Sequence, residues 1–159
     1  MALGSNLGDS VELVLSAMSR LQAWSDEPIL RSSLWKTHPV DCPPGSPPFV
    51  NAVIGLKARS GETPETLLKK LQQLEHEFGL RPKAIRNEPR PLDLDLIAFG
   101  SEMRATSDLK LPHPRAHERR FVLTPLAEIA PDLVLPLQTK TVRELLAECG
   151  ETGSVLWIR

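Results

Sequence analysis

The chain has no tyrosine, and aromatic residues of all kinds make up only 4% of it. Only two cysteines occur, Cys42 and Cys149, far apart in 159 residues. Each scarcity excludes something. Modules that read single-stranded nucleic acid need exposed aromatics on a basic face. So few rings, with a formal net charge of -1, argue against that class and against a nucleic-acid partner. Two cysteines make neither a disulfide framework nor a metal site; they read as free thiols in a reducing compartment. No apolar run approaches the length needed to cross a bilayer, so no membrane association is expected. The start, "MALGSNLGDS", is too short and too polar for a signal peptide, and the expected location is the cytoplasm.

What is present suits one domain spanning residues 1–159. Hydrophobic residues are 41% and charged residues 25%, enough for a core, and any anion-binding surface must be local. Proline is frequent, at 15 residues, and five fall in "HPVDCPPGSPPF", 38–49. Proline lacks a donor N–H, so this stretch is neither helix nor central strand. It is a long loop, read either as a lid or binding loop or as a rigid surface connection.

Hydrophobic spacing gives a coarse order of elements. Val11, Val14, Leu15, Met18 and Leu21 recur at helical spacing, with Asn6 or Asp9 as candidate N-cap. "ILRSSLWK" (29–36) reads as a strand. "FVNAVIGLKA" (49–58) reads as another, with Val50, Ala52, Ile54 and Leu56 toward the core and Phe49, Asn51 and Val53 opposite. A second helix starts at Thr63–Pro64 and stops before Gly79, with Leu67, Leu68, Leu71, Leu74 and Phe78 as its stripe. "LDLDLIAF" (92–99) reads as a strand. "HERRFVLTPLAEIAP" reads as a short helix ended by Pro131, and "TVRELLAEC" as a helix with a Thr141–Glu144 capping box. "VLWI" (155–158) reads as an edge strand. A first strand before Asn6 completes a ferredoxin-like βαββαβ order with C-terminal helical additions: an α+β fold, its antiparallel sheet covered by helices on one face. Only "MAL" is available for that strand, so it is either very short or begins upstream of Met1.

The most informative stretch is "RPLDLDLIAFG", 90–100. In a strand, residues two apart share a face, so Asp93 and Asp95 point together and Leu92, Leu94 and Leu96 point to the core. Side by side, two carboxylates repel each other. Water with a nearby arginine relieves this, and so does Mg²⁺, which takes one or two carboxylates plus substrate phosphates. Just upstream, "GLRPKAIRNEPR" (79–90) carries Arg81, Lys83, Arg86 and Arg90 against one acid, Glu88. Cations beside two carboxylates suit a polyphosphate held by metal on one side and arginine on the other. A solvated basic loop is the plain reading of that segment alone. "GSNLGD" (4–9) is neither a Walker A motif nor a dinucleotide fingerprint. His113 and His117 have zinc-ligand spacing but lie in "LPHPRAHERR" with no third ligand in range.

Taken together, "ALGSNLGD", "FVNAV", "PRPLDLDLIAFG" and "LPHPRAHERRFVLTPLAEIAP" resemble the 6-hydroxymethyl-7,8-dihydropterin pyrophosphokinases of folate biosynthesis. The resemblance covers nearly the whole chain. It implies transfer of pyrophosphate from ATP to the pterin's hydroxymethyl group, release of AMP, two Mg²⁺ ions and a monomer acting on small molecules. Matched by position, Asp93 and Asp95 correspond to the metal-binding aspartates. Gly4, Thr37, Pro39, Val40, Phe49, Asn51 and Phe121 correspond to pterin-side positions, with Asn51 on the amide edge and Phe121 stacking. Gln72, Glu75, His113 and Arg119 correspond to ATP-side positions. Arg90 and Arg86 match the arginines nearest the transferring phosphates. The sequence departs from the family where Leu80 and Pro82 stand at arginine positions and Asn87 at a common tryptophan position. Two rivals remain: a non-catalytic relative, supported only by that altered loop, and a different Mg²⁺-dependent nucleotidyl enzyme, against which Asn51 and Phe121 favour a flat heteroaromatic substrate.

Overall fold

The structure, a computed structural model, describes residues 1–39, 42–79, 88–150 and 155–158. Along the chain run β1 (Ala2–Ser5), α1 (Ser10–Gln22), β2 (Leu30–Arg31), β3 (Trp35–Thr37), β4 (Phe49–Gly55), α2 (Pro64–Glu77) and β5 (Asp93–Asp95). Then follow β6 (Arg104–Ala105), β7 (Lys110–Leu111), α3 (Arg120–Ile129), α4 (Val142–Glu148) and β8 (Val155–Trp157). The protein is α+β.

Local chemistry sets the helix starts. Asp9 caps α1, its Oδ1 accepting the Glu12 N–H at 3.2 Å. Asn6 is thereby free for another role, described below. Thr63 caps α2 with Pro64 in the first turn. Gly79 follows α2 at φ 90°, a left-handed conformation that side chains with a Cβ resist. Thr141 and Glu144 form the expected capping box on α4.

The main sheet has the order β5-β1-β4-β3-β8, with β2 also against β4, and every pairing is antiparallel. β6 and β7 form a separate hairpin. The first strand is short but fully used: Leu3 pairs with Ala52 on one side and Leu94 on the other.

Three expectations need correction. Residues 29–36 form two strands, β2 and β3, rather than one. Between them the buried Ser32 hydroxyl accepts the Val53 N–H at 2.9 Å, replacing the ladder carbonyl and breaking the strand. The strand expected over 92–99 is confined to Asp93–Asp95, where β1 offers partners only from Ala2 to Gly4. Helices also cover both faces of the sheet. On one face Leu3, Val50, Ala52, Ile54, Leu92, Leu94 and Leu96 pack with α1 and α2 residues such as Val14, Leu21, Leu67 and Leu71. On the other, Val53 and Ile97 pack with Val122, Leu123 and Leu126 of α3 and Val142 of α4. Period-2 alternation explains both cores, since β4 sends even-numbered residues to one and Val53 to the other.

Candidate active site

The second face is only partly covered by α3 and α4, and the remainder carries the candidate residues. Register places them together. Gly4 stands opposite Asn51 on one side and Asp93 on the other, and Ala2 stands opposite Asp95. Thr37 stands opposite Phe49 on the same face, two residues from Asn51. Four strands, β5, β1, β4 and β3, therefore bring Asp93, Asp95, Gly4, Asn51, Phe49 and Thr37 to one surface. A Cβ at Gly4 would meet Asn51 Oδ1 at 3.3 Å, so glycine there leaves the amide room.

The Asn51–Thr37 pair is already ordered. Asn51 and Thr37 are each only 6% exposed, and Asn51 Nδ2 donates to Thr37 Oγ1 at 2.7 Å. That bond fixes the amide orientation and leaves Asn51 Oδ1 and the second amide hydrogen for a ligand. Phe121, at the start of α3, is partly buried against the second core. Arg119 lies over its ring with 5.5 Å from guanidinium carbon to centroid, a cation–π contact. Pro39 is half-buried at the end of the described loop. Val40 and Arg86 lie outside the described residues, as do Leu80, Pro82 and Asn87.

The aspartates lie where the charge argument places them. Arg90 Nη1 donates to Asp93 Oδ1 at 2.6 Å, from a side chain only 13% exposed. Burial, and then the neighbouring Asp93 charge, push the Asp95 carboxyl above the usual carboxylate range. His113 and Arg119 are close enough for their charges to oppose that shift. Burial holds the His113 imidazole below its usual value. Its Nδ1 accepts the Arg115 N–H at 3.2 Å, leaving Nε2–H as a donor. The site thus sets paired hard carboxylate oxygens beside the cations Arg90 and Arg119. Those oxygens suit Mg²⁺ better than a soft or borderline ion. Among the described residues there is no cluster of three or more acidic, histidine or cysteine ligands. Two carboxylates match a metal that takes its other ligands from phosphates and water.

Two supporting residues were not foreseen in these roles. Glu75 Oε1 accepts the Leu94 N–H at 2.7 Å, clamping the free edge of β5 between the two aspartates. Asn6 is 2% exposed; its Oδ1 accepts the Arg90 N–H at 2.8 Å and its own N–H donates to the Arg90 carbonyl at 3.0 Å. Asn6 therefore fixes the backbone that carries Arg90. Only the conspicuous "SN" before the first helix hints at this in the sequence. Gln72 lies exposed on α2, one turn before Glu75.

Burial, followed by the Asp93 and Asp95 charges, pushes the Glu75 carboxyl up to about 7. A carboxyl raised above its unfolded value of 4.5 stabilises the fold fully below that pH and loses the contribution as pH rises through about 7. Glu75→Gln keeps the acceptor for Leu94 and removes the titration. Its stability relative to wild type is expected to rise by about 1–2 kcal/mol between pH 4.5 and about 8, discounted for the partly exposed side chain. Urea melts of both proteins at a series of pH values read this difference; a flat difference contradicts it.

An apolar cavity of about 600 Å³, lined by Val53, Ile54, Leu126, Ala130, Leu135 and others, includes none of the candidate residues. No acidic or basic side chain lines it, so it offers no chemistry for phosphates.

Comparison with known proteins agrees with this geometry. A 2-amino-4-hydroxy-6-hydroxymethyldihydropteridine pyrophosphokinase of Haemophilus influenzae is 38% identical over 152 residues, 95% of this chain and 92% of that protein. One of the same name from Pseudomonas aeruginosa is 39% identical over 154 residues, 96% of this chain and 92% of that protein. The folic acid synthesis protein fol1 of Pneumocystis carinii is 38% identical over 137 residues, 86% of this chain but 18% of that longer protein. Residues 1–131 match the family model for 7,8-dihydro-6-hydroxymethylpterin-pyrophosphokinase: the chain belongs to the 7,8-dihydro-6-hydroxymethylpterin-pyrophosphokinase family.

Proposed function

We infer that the chain, a pyrophosphokinase of folate biosynthesis, transfers pyrophosphate from ATP to the hydroxymethyl group of 6-hydroxymethyl-7,8-dihydropterin and releases AMP. The observation that carries this reading is the shared sheet face, where Asp93 and Asp95 stand one strand away from the Asn51–Thr37 pair. A polar slot for a flat heterocycle thus adjoins a cation-binding site. Asn51, Thr37, Gly4, Phe49, Pro39 and Phe121 hold the pterin, with Val40 assigned beside them by position. Gln72, Glu75, His113 and Arg119 hold ATP, and Arg90 faces the phosphates, with Arg86 assigned beside it by position.

Most of the work is positioning and charge, as in other phosphoryl transfers. Asn6 fixes the backbone that carries Arg90. Arg90 presents its guanidinium beside Asp93, where the β-phosphoryl group passes. His113 Nε2–H and Arg119 donate to the remaining phosphate oxygens. Asp93 and Asp95 would hold Mg²⁺, two ions by the family's pattern, which when bound would supply the positive charge that polarises a phosphoryl group.

The strand order β5-β1-β4-β3, with α1 and α2 as its crossovers, supports the ferredoxin-like reading of the fold. We read residues 1–159 as one catalytic unit working as a monomer in the cytoplasm, without nucleic-acid or membrane partners. Among the described residues no helix is long and apolar enough to cross a membrane. The test is AMP release from ATP with Mg²⁺, with and without the pterin. AMP formed only with the pterin is the expected result. Pterin binding without AMP favours a non-catalytic relative instead.

A further inference from the structure

We propose that Trp35 and Thr124 are specificity-determining residues that hydrogen-bond the ring edge of the heterocyclic substrate, behind Asn51 and Phe121. The proposal rests on the pterin reading of this face. Among the described residues, two buried side-chain polar atoms have no hydrogen-bond partner, Trp35 Nε1 and Thr124 Oγ1. They belong to neighbouring elements, since α3 packs on β3. Trp35 stands directly opposite Asn51 in the register and shares its face. Thr124 lies one helical turn after Phe121, on the same side of α3. One turn further, Glu128 Oε2 accepts the Ser33 N–H at 2.6 Å, so this side of α3 meets the chain leading into β3. Both orphan atoms therefore lie on elements that pack together, Trp35 beside Asn51 on the sheet and Thr124 one turn from Phe121 on α3.

Buried polar groups are nearly always paired, and leaving one unpaired disfavours the folded state. Plain packing does not account for this pair: valine fills the place of Thr124, and Trp35 needs no N–H to fill space. A partner arriving with the substrate accounts for both. Indole N–H only donates, and a hydroxyl donates or accepts. The pair matches a ring edge with a carbonyl oxygen or ring nitrogen beside a second polar atom, as in a pterin. A ring with carbon at those positions would leave both atoms unpaired, which is how a hydrogen-bonding site rejects an analogue. The atoms are covered in the free protein, so the substrate reaches them by parting α3 from β3. No hydrogen bond of theirs has to break for that to happen.

The test follows the indole N–H signals of ¹⁵N-labelled full-length chain while 6-hydroxymethyl-7,8-dihydropterin is added with a non-hydrolysable ATP analogue. Trp35→Phe identifies the Trp35 signal among those of Trp24 and Trp157. That signal is expected to move downfield as the pterin saturates. Thr124→Val is expected to weaken pterin binding about tenfold, the loss of one hydrogen bond, with ATP-analogue affinity unchanged. Thr124→Ser keeps wild-type affinity. Thr124→Val also raises the Tm of the free protein by about 2–4 °C, because an unpaired hydroxyl has gone. A Trp35 signal that stays in place while wild type binds pterin overturns the proposal. So does Thr124→Val with wild-type pterin affinity, whatever its Tm. If the wild-type chain binds no pterin, the reading of the face fails, and this inference with it.

Discussion

Asp95→Asn is expected to lower pterin-dependent AMP release by about 10³-fold or more, while the free protein folds and is at least as stable as wild type. The two halves of this result have one cause. Asp95 is held above its normal carboxylate range by burial and by Asp93, so in the free protein its charge is a burden. Removing it lifts a repulsion that Arg90 relieves only on the Asp93 side, through its 2.6 Å ion pair. In the proposed mechanism the same carboxylate would hold Mg²⁺ beside the triphosphate. Losing a ligand there removes several kcal/mol of charge stabilisation in the transition state. Steady-state AMP release and a thermal melt read the two effects separately. Activity within about tenfold of wild type would refute the metal role. A large drop in Tm would show a structural carboxylate instead.

Asn51→Ala is expected to weaken pterin binding by about 10²-fold or more and to leave ATP binding nearly unchanged. The Asn51 amide is buried, and its bond to Thr37 orients it without using up its capacity. Alanine leaves Thr37 and the substrate edge both without a partner, which is why the expected loss exceeds that of an ordinary hydrogen bond. In the proposed arrangement ATP meets the other end of the face, at Arg90, His113 and Arg119, and does not depend on that amide. Calorimetry with each ligand separates the two. Equal weakening of both would count against the pterin role and point to a general collapse of the sheet face.

Much of the site was legible one segment at a time. The Asp-x-Asp spacing in a strand, the leucines between, and the alternation of 49–55 assign faces without any tertiary knowledge, because a strand has a period of two. The cap at Thr63, the box at Thr141 and the stop at Gly79 follow from local backbone chemistry. The break at Ser32 was not legible, because it depends on a hydroxyl meeting Val53 from a strand twenty-one residues away. The shortness of β5 depends likewise on how much of β1 lies beside it.

Sequence by itself determined which residue types this protein has for its chemistry, which of them share a strand face, and where its helices begin and end. Those are properties of nearest neighbours, set by φ/ψ preference and periodicity. Only the tertiary structure decided that Asp93 and Asn51 meet across Gly4, that Glu75 and Asn6 hold β5 and Arg90, and that α3 covers the second face. Those depend on strand order and register, which are fixed by burying both faces of the sheet at once. Two polar atoms left unpaired on α3 and β3 are visible only at that level, because hydrogen-bond satisfaction is a property of the packed chain.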